Sequence, residues 1–161
     1  MDETSFEAER RTRTATIMLN GPLERVFPLF GAIEEKKWAD GWSPSVLYPT
    51  SEQIEEGMVF TTEGHGHGES KYAWIVSRYQ VENHLIGYIV STVNRYWVIT
   101  IQCVSSSEDH TKATVSYTFT GLTDLGNEIN RDAIKKMFER NLEDWEEAIN
   151  HFLKTGEVLS H

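Results

Sequence analysis

The hydrophobic period changes along this chain of 161 residues, and the order of the changes limits the folds that it can adopt. Apolar and polar residues alternate over 12–19, take helical spacing next, alternate again from Ser45, and return to helical spacing up to Thr155. Alternation is typical of antiparallel strands with one covered face, whereas spacing of i, i+3, i+4 and i+7 is typical of a helix packed on a core. The sequence therefore predicts an α+β protein with a curved antiparallel sheet and a long C-terminal helix.

We expect about seven strands. The first covers 12–19, and the others lie near 45–50, 57–62, 71–79, 84–91, 95–105 and 111–120. The last two alternate most regularly, so that Trp97, Ile99 and Ile101 share one face of their strand. By the same alternation Tyr117 and Phe119 share a face of the next strand, and we expect both sets to face the core.

Helices are expected in three places. Pro22 suits a first helical position, and Pro28 should kink or end the helix that begins there. A second short helix is predicted over 33–38. The segment 127–155 is predicted as one helix of roughly 40 Å, with Asn127 as its N-cap. A strongly curved sheet cannot close flat against such a helix, and the apolar space that remains is a natural ligand site.

The composition narrows the choice of partners. A formal charge of −10 argues against nucleic acid or an anionic membrane surface, since both require clustered Lys and Arg. No run approaches the roughly 20 apolar residues that span a bilayer. Cys103 is the only cysteine, so an intrachain disulfide is ruled out. The segment 1–13 lacks the apolar stretch of a secretory signal, and we therefore expect a cytoplasmic protein.

Several short motifs follow one another in an order that matches a known superfamily. They are Pro22-Leu23-Glu24-Arg25-Val26-Phe27, Trp38-Ala39-Asp40-Gly41-Trp42, Gly57-Met58-Val59-Phe60, Trp74-Ile75-Val76 before Tyr79, and Phe138, Leu142, Trp145, Ile149 and Phe152 on the last helix. In this order they resemble the START-like superfamily, also called SRPBCC or the birch-pollen-allergen fold. The nearest resemblance is to its polyketide cyclase/dehydratase and lipid-transport branch, and it covers nearly the whole chain.

The resemblance implies a helix-grip fold with the element order β-α-α-β6-α. It also implies a single START-like domain over 1–161, in which 1–10 forms a flexible N-terminal tail. Members of the superfamily differ in function, so the resemblance implies a cavity and a small hydrophobic ligand more than a particular reaction. We expect no cofactor.

Candidate ligand-binding residues are those that should face the space between sheet and helix. On a helical wheel Asn141 falls within the apolar stripe of the last helix, where a buried amide would need a partner. Ordinary core packing explains most of the aromatic residues, and a ligand wall is the alternative for those that face the space. The predicted ligand-binding set is Trp42, Trp74, Tyr88, Trp97, Tyr117, Phe138, Asn141 and Trp145.

The segment 63–69 alternates glycine with ionisable residues. If it were extended, Glu63, His65, His67 and Glu69 would lie on one side, and these are acceptable ligands for zinc or iron. The intervening glycines would hold such ligands poorly, and the fold would not support a site built from one short stretch. We therefore predict a mobile hairpin tip and no metal site, with a gate over the cavity as a further alternative.

Three functions remain open from the sequence. The first is a carrier of a lipid-like, aromatic or polyketide-like molecule. The second is an enzyme of the aromatase/cyclase or dehydratase type, which would need groups such as Tyr88, Tyr117 or Arg78 to converge on the cavity, although no catalytic motif is present. The third is an interaction module like the Hsp90-activator branch of the superfamily, which would have a filled interior and an exposed apolar patch.

Overall fold

The structure is a computed structural model that describes residues 5–66 and 68–160, without the side chain of His65. Its strands are β1 Arg10–Leu19, β2 Ser45–Tyr48, β3 Val59–Gly66, β4 Glu69–Gln80, β5 Leu85–Ser91, β6 Arg95–Ser107 and β7 His110–Gly121. All neighbouring pairs are antiparallel, and the spatial order is β1-β7-β6-β5-β4-β3-β2. The predicted seven-stranded curved antiparallel sheet is therefore confirmed.

The helical elements cover one face of this sheet. They are α1 Leu23–Val26, two 3₁₀ segments at Phe27–Phe30 and Glu34–Lys37, α2 Asp124–Met137 and α3 Glu143–Thr155. Pro28 lies in the first turn of the first 3₁₀ segment, which explains why α1 does not continue. Both short helical regions predicted between the first and second strands are present.

The core lies between the inner face of the sheet and these helices. Alternate residues of β6 are buried from Trp97 to Cys103, and alternate residues of β7 are buried from Thr111 to Gly121. The intervening residues are half-buried or exposed on the outer face. Strand alternation therefore assigned the inner face correctly.

The prediction of one continuous helix over 127–155 is wrong. The helix stops at Met137 and restarts at Glu143, with Asn141 and Leu142 in the left-handed region at φ 51° and 61°. Apart from glycine, asparagine is one of the residues that adopt this conformation most readily, so Asn141 suits a chain reversal between helices. Leu142 is almost fully buried, which anchors the break in the core.

The break sends the two helices to different parts of the sheet. α2 packs on β7, whereas α3 lies against the edge strand β1. The Glu146 carboxylate accepts a hydrogen bond from the Met18 backbone N–H at 2.8 Å, and the Asn150 side chain bonds the backbone of both Met18 and Asn20. α3 therefore satisfies edge-strand groups that would otherwise be open to another chain.

The start of α2 also differs from the prediction. Thr123 is the N-cap, and its hydroxyl accepts a hydrogen bond from the Gly126 N–H at 3.0 Å. Asn127 lies one turn inside the helix, where its amide accepts from the Glu9 N–H and donates to the Glu7 carbonyl, both at 3.0 Å. The structure thus ties residues 7–9, which the sequence assigned to a tail, to α2.

We predict that Leu142→Ala lowers the free energy of unfolding by about 2–5 kcal/mol, because it removes a buried side chain at a position that cannot readily collapse. Leu125→Ala is the matched control, since Leu125 is 45% exposed on α2 and should change stability by less than about 0.5 kcal/mol. Urea denaturation followed by circular dichroism measures both. Equal effects of the two substitutions would contradict a core anchor at the break.

Candidate functional site

A cavity of about 420 Å³ lies between the inner face of the sheet, α2 and the loop 41–43. Its deep part is lined by buried side chains from four elements: Tyr72, Arg95, Trp97, Tyr117, Phe119 and Ile129. Its mouth is lined by exposed residues: Gly41, Ser43, Glu63, Asp132 and Lys136. The structure therefore has an unfilled space with an aromatic interior and a polar mouth.

One side of the cavity is an aromatic wall. The rings of Trp42 and Trp74 meet edge to face with centroids 5.4 Å apart, and Phe60 stacks on Trp74 at 5.2 Å. The Trp74 indole N–H donates to the Thr62 hydroxyl at 2.9 Å. Because the rings contact each other and the indole N–H is bonded, the wall has a fixed shape and presents ring surface to the cavity.

Three aromatic side chains donate hydrogen bonds to backbone carbonyls of the short helical region. The indole N–H groups of Trp38 and Trp42 donate to the carbonyls of Leu29 and Ala32 at 2.7 and 2.6 Å. The Tyr88 hydroxyl, on β5, donates to the carbonyl of Phe30 at 2.6 Å. Carbonyls at the end of a short helix lack helical partners, and these donors satisfy them in the interior.

A buried ion pair forms the polar end of the cavity. Arg95 donates from Nη2 to Glu69 Oε1 at 2.9 Å and from Nε to both carboxylate oxygens at 3.2 and 3.3 Å. The Thr92 hydroxyl donates to Glu69 Oε2 at 2.7 Å. The guanidinium lies over the Trp97 ring, 4.6 Å from its centroid. Hydrogen bonds and ring contact together fix the position of this charge.

The structure brings half of the predicted ligand-binding residues to the cavity. Trp42, Trp74, Trp97 and Tyr117 line it. The others do not. Three of them pack instead against residues that line the cavity. Tyr88 contacts Trp74 with centroids 5.6 Å apart, and Phe138 and Trp145 contact Tyr117 at 5.9 and 6.3 Å. Ligand contact by the four lining residues stays a prediction.

Asn141 is a correction among these residues. It is exposed in the break between α2 and α3 instead of lying on an apolar stripe. The helical wheel failed because it assumed an unbroken helix through this position. An exposed amide is hydrated and requires no buried partner.

Sequence reasoning missed the polar residues of the deep end. Arg95 belongs to the alternating series of β6 that includes Trp97 and Ile99, and Tyr72 belongs to the series of β4 that includes Trp74. Strand alternation alone could have placed both side chains inward. The partner that makes a buried arginine tolerable, Glu69, lies at the far end of another strand and carries no such signal.

Whether the loop 63–69 could bind a metal depends partly on residues outside the described set, namely His67 and the side chain of His65. Among the residues that are described, no group of three or more His, Cys, Asp or Glu side chains could hold a metal ion. Within the ranges 5–66 and 68–160, no helix is long and apolar enough to cross a membrane.

Comparison with solved structures gives close matches in shape at low sequence identity. Norcoclaurine synthase from Thalictrum flavum matches with a TM-score of 0.69 at 11% identity, over 95% of this chain and 99% of that one. The Zhui aromatase/cyclase from Streptomyces sp. R1128 matches with 0.69 at 11%, over 94% and 100%. Ara h 8.0201 matches with 0.65 at 15%, over 91% and 99%.

The chain has the START-like helix-grip fold. No protein-family profile matches the sequence. No curated protein matches it either. The resemblance seen in the short motifs is thus confirmed at the level of the fold, by shape and over nearly the whole chain.

Within this START-like fold, Glu35 is a further residue that the sequence did not reveal. It lies in the 3₁₀ segment Glu34–Lys37, and burial raises the pKa of its carboxyl group to about 8. Its charge contributes to raising the pKa of both Tyr88 and Tyr117, for which burial is the larger cause. The side chain is half-buried, and its electrostatic effect on Tyr88 and Tyr117 indicates that it is directed toward the inner face of the sheet.

We predict that Glu35 makes stability depend on pH. The native carboxyl group keeps its proton up to about pH 8, whereas the unfolded one loses it near 4.5. The native state therefore binds more protons between these values, and the free energy of unfolding falls as the pH rises through this window. Glu35→Gln should flatten that fall and raise stability above pH 8 by at most about 5 kcal/mol, and by less where water reaches the group.

Urea denaturation at about pH 5, 7 and 9 measures this difference. Glu34→Gln is the matched control, because Glu34 lies next in the same segment and forms an exposed pair with Lys37. A pH profile that Glu35→Gln leaves unchanged would show that the carboxyl group is hydrated in the native protein.

Proposed function

We propose that the protein binds a small hydrophobic molecule in the cavity between the sheet and α2. The observation that carries this proposal is the unfilled space of about 420 Å³ beside a well-packed core. Protein interiors are normally close-packed, and pockets for small ligands usually have volumes of about 300–1,000 Å³. The space is of the right size for a ligand and is held open by side chains that contact one another.

The lining favours a molecule with rings or extended apolar surface. Trp97 and Phe119 approach with centroids 5.6 Å apart, and Tyr117 stacks on Phe119 at 5.7 Å. With Trp42 and Trp74 opposite, these rings offer flat apolar surfaces on two sides. Ring stacking adds about 0.5–1.5 kcal/mol per pair beyond the burial of area. Lipid-like, aromatic and polyketide-like molecules all suit such walls.

The structural neighbours support the same class of ligand. One norcoclaurine synthase structure is described as a complex with dopamine and hydroxybenzaldehyde, both of which contain an aromatic ring. The Zhui protein is described as an aromatase/cyclase. At these identities the likeness supports the fold, and the choice of ligand class for this chain depends on its own lining residues.

We predict that Ala133→Phe weakens ligand binding by about tenfold or more, equivalent to about 1.4 kcal/mol, because Ala133 on α2 lines the cavity and a phenyl group there would fill it. The measurement is displacement of Nile red, a neutral dye, by a panel of neutral aromatic compounds and lipids. Native mass spectrometry of gently purified protein would identify a retained molecule.

Ala73→Phe is the matched control, since Ala73 lies on β4 between two cavity-lining residues but is exposed on the outer face. It should leave binding within about twofold of the unchanged protein. If no compound in the panel binds and no small molecule is retained, the carrier function is rejected. Equal loss of binding in both variants would place the ligand outside the cavity.

A second candidate, an aromatase/cyclase or dehydratase, is favoured by one observation. A carboxyl group with a pKa of about 8 can donate and accept protons near neutral pH, and Glu35, which does not itself line the cavity, helps to raise the pKa of the lining residue Tyr117. Of the other groups suggested by the sequence, the Tyr88 hydroxyl is bonded to Phe30, and Arg78 is exposed.

The enzymatic candidate predicts that the protein accelerates cyclodehydration of a linear triketone to a pyrone, followed by ultraviolet absorbance. Glu35→Gln should reduce that rate by about a hundredfold, the usual contribution of a general acid or base, while Nile red still binds. Glu34→Gln should have no effect on the rate. A rate equal to that in buffer would leave the carrier as the better candidate.

The interaction-module alternative predicted an interior filled by side chains, and the cavity argues against it. We retain a reducing cytoplasm as the proposed location, because the single cysteine, Cys103, is free and buried. Transport of lipids is one use of such a carrier, and the retained molecule sought above would test it.

A further inference from the structure

Donors at the deep end of the cavity lack acceptors among the described residues. Arg95 has five N–H donors. Nε and one hydrogen of Nη2 are directed to Glu69, and Nη2 also approaches the Tyr72 hydroxyl at 3.4 Å. One hydrogen of Nη1 is directed to Asn130 Oδ1 at 3.3 Å. Among the described residues, Asn130 Oδ1 is the one acceptor found for Nη1, and Arg95 itself lines the cavity.

Asn130 adds a further donor at this end. Its Nδ2 is buried and has no hydrogen-bond partner among the residues described. Exchanging the amide oxygen and nitrogen would not help, because the nitrogen would then face the Arg95 guanidinium, donor against donor. Its helical neighbours Ile129 and Ala133 line the cavity. A buried donor without an acceptor costs about 1–3 kcal/mol, so an acceptor atom next to Asn130 and Arg95 would be stabilising.

Charge determines which kind of acceptor fits. Glu69 already neutralises Arg95 at close range, and both side chains are almost fully buried. An anionic ligand would have to leave water without gaining an unpaired positive charge, which is unfavourable in a buried site. Among the described residues at the mouth, there are two carboxylates, Glu63 and Asp132, and one cation, Lys136. A cationic ligand would bring further hydrogen-bond donors to the deep end of the cavity, next to the donors of Arg95 and Asn130.

We propose that the cavity selects a neutral molecule with a ring-containing apolar body and a ketone or ester carbonyl, whose oxygen accepts a hydrogen bond from Nη1 of Arg95. This inference rests on the proposed binding function and specifies its ligand. The Trp97 ring beneath the guanidinium then contacts the ligand body next to the carbonyl group. Arg95 acts here as a hydrogen-bond donor whose charge is cancelled by Glu69.

Three naphthalene probes of similar shape test the inference by calorimetry and Nile red displacement: the methyl ketone, the isopropenyl hydrocarbon and the carboxylate. The ketone and the hydrocarbon differ only in the exchange of C=O for C=CH₂. We expect the ketone to bind about tenfold more tightly than the hydrocarbon, as for a buried donor that gains its acceptor, and the carboxylate to bind most weakly.

The double variant Glu69→Leu/Arg95→Met tests the assignment to this pair. Replacing both members of a buried ion pair by apolar residues is often neutral for stability, so the variant should remain folded. It should lose the preference for the ketone, so that the ketone and the hydrocarbon bind to it with equal affinity. The matched control Glu9→Leu/Arg131→Met removes an exposed ion pair outside the cavity and should keep the preference.

The outcomes separate this inference from the proposed function. Equal affinity for ketone and hydrocarbon, tightest binding of the carboxylate, or a ketone preference that survives in the double variant overturns the inference and leaves ligand binding intact. Failure of all three probes to bind counts against the binding function itself. If the double variant does not fold, the comparison of probes on the unchanged protein still decides the question.

Discussion

The hydrogen bonds from Trp38, Trp42 and Tyr88 to the carbonyls of residues 29–32 are the interactions on which the site depends. Tyr88 on β5 connects the short helical region to the inner face of the sheet, and Trp38 and Trp42 connect it to the segment that follows it in the chain. Without them, three carbonyl groups would be buried without partners, and Trp42 would have no fixed orientation. One side of the cavity therefore has its shape because a local backbone requirement is met by aromatic donors.

The break between α2 and α3 explains why the space between the helices and the inner face of the sheet is open beside α2 but filled beside α3. α3 lies along β1, and Trp145 fills the space between Trp38 and Tyr117 with centroid distances of 5.7 and 6.3 Å. α2 instead crosses β7 with the small residue Ala133 towards the cavity. A single straight helix would have spread the space along its whole length. The chain reversal concentrates it beside α2, where ring surfaces and a buried ion pair meet.

Strand alternation predicted much of this arrangement, because a strand's faces follow from counting residues by two. It placed Trp97 and Tyr117 inward, and both line the cavity. The helical wheel failed at Asn141, although the signals of a break were present: Lys135 and Lys136 suit a helix end, and Glu143 suits a helix start. The ion pair could not be predicted in the same way, since it depends on two strands meeting in space.

Buried polar groups are stronger evidence for a ligand site in this protein than the apolar lining of the cavity. Rings around an apolar space also occur in ordinary cores, and they would be equally stable if the space were smaller. A half-buried carboxyl group with a raised pKa at position 35, and a buried donor on Asn130 without an acceptor among the described residues, both lower the stability of the protein at neutral pH. Apolar side chains at these positions would remove that cost. A ligand that brings an acceptor to this place would offset the cost of the unpaired donor on Asn130, and this gain would distinguish it from a ligand without an acceptor.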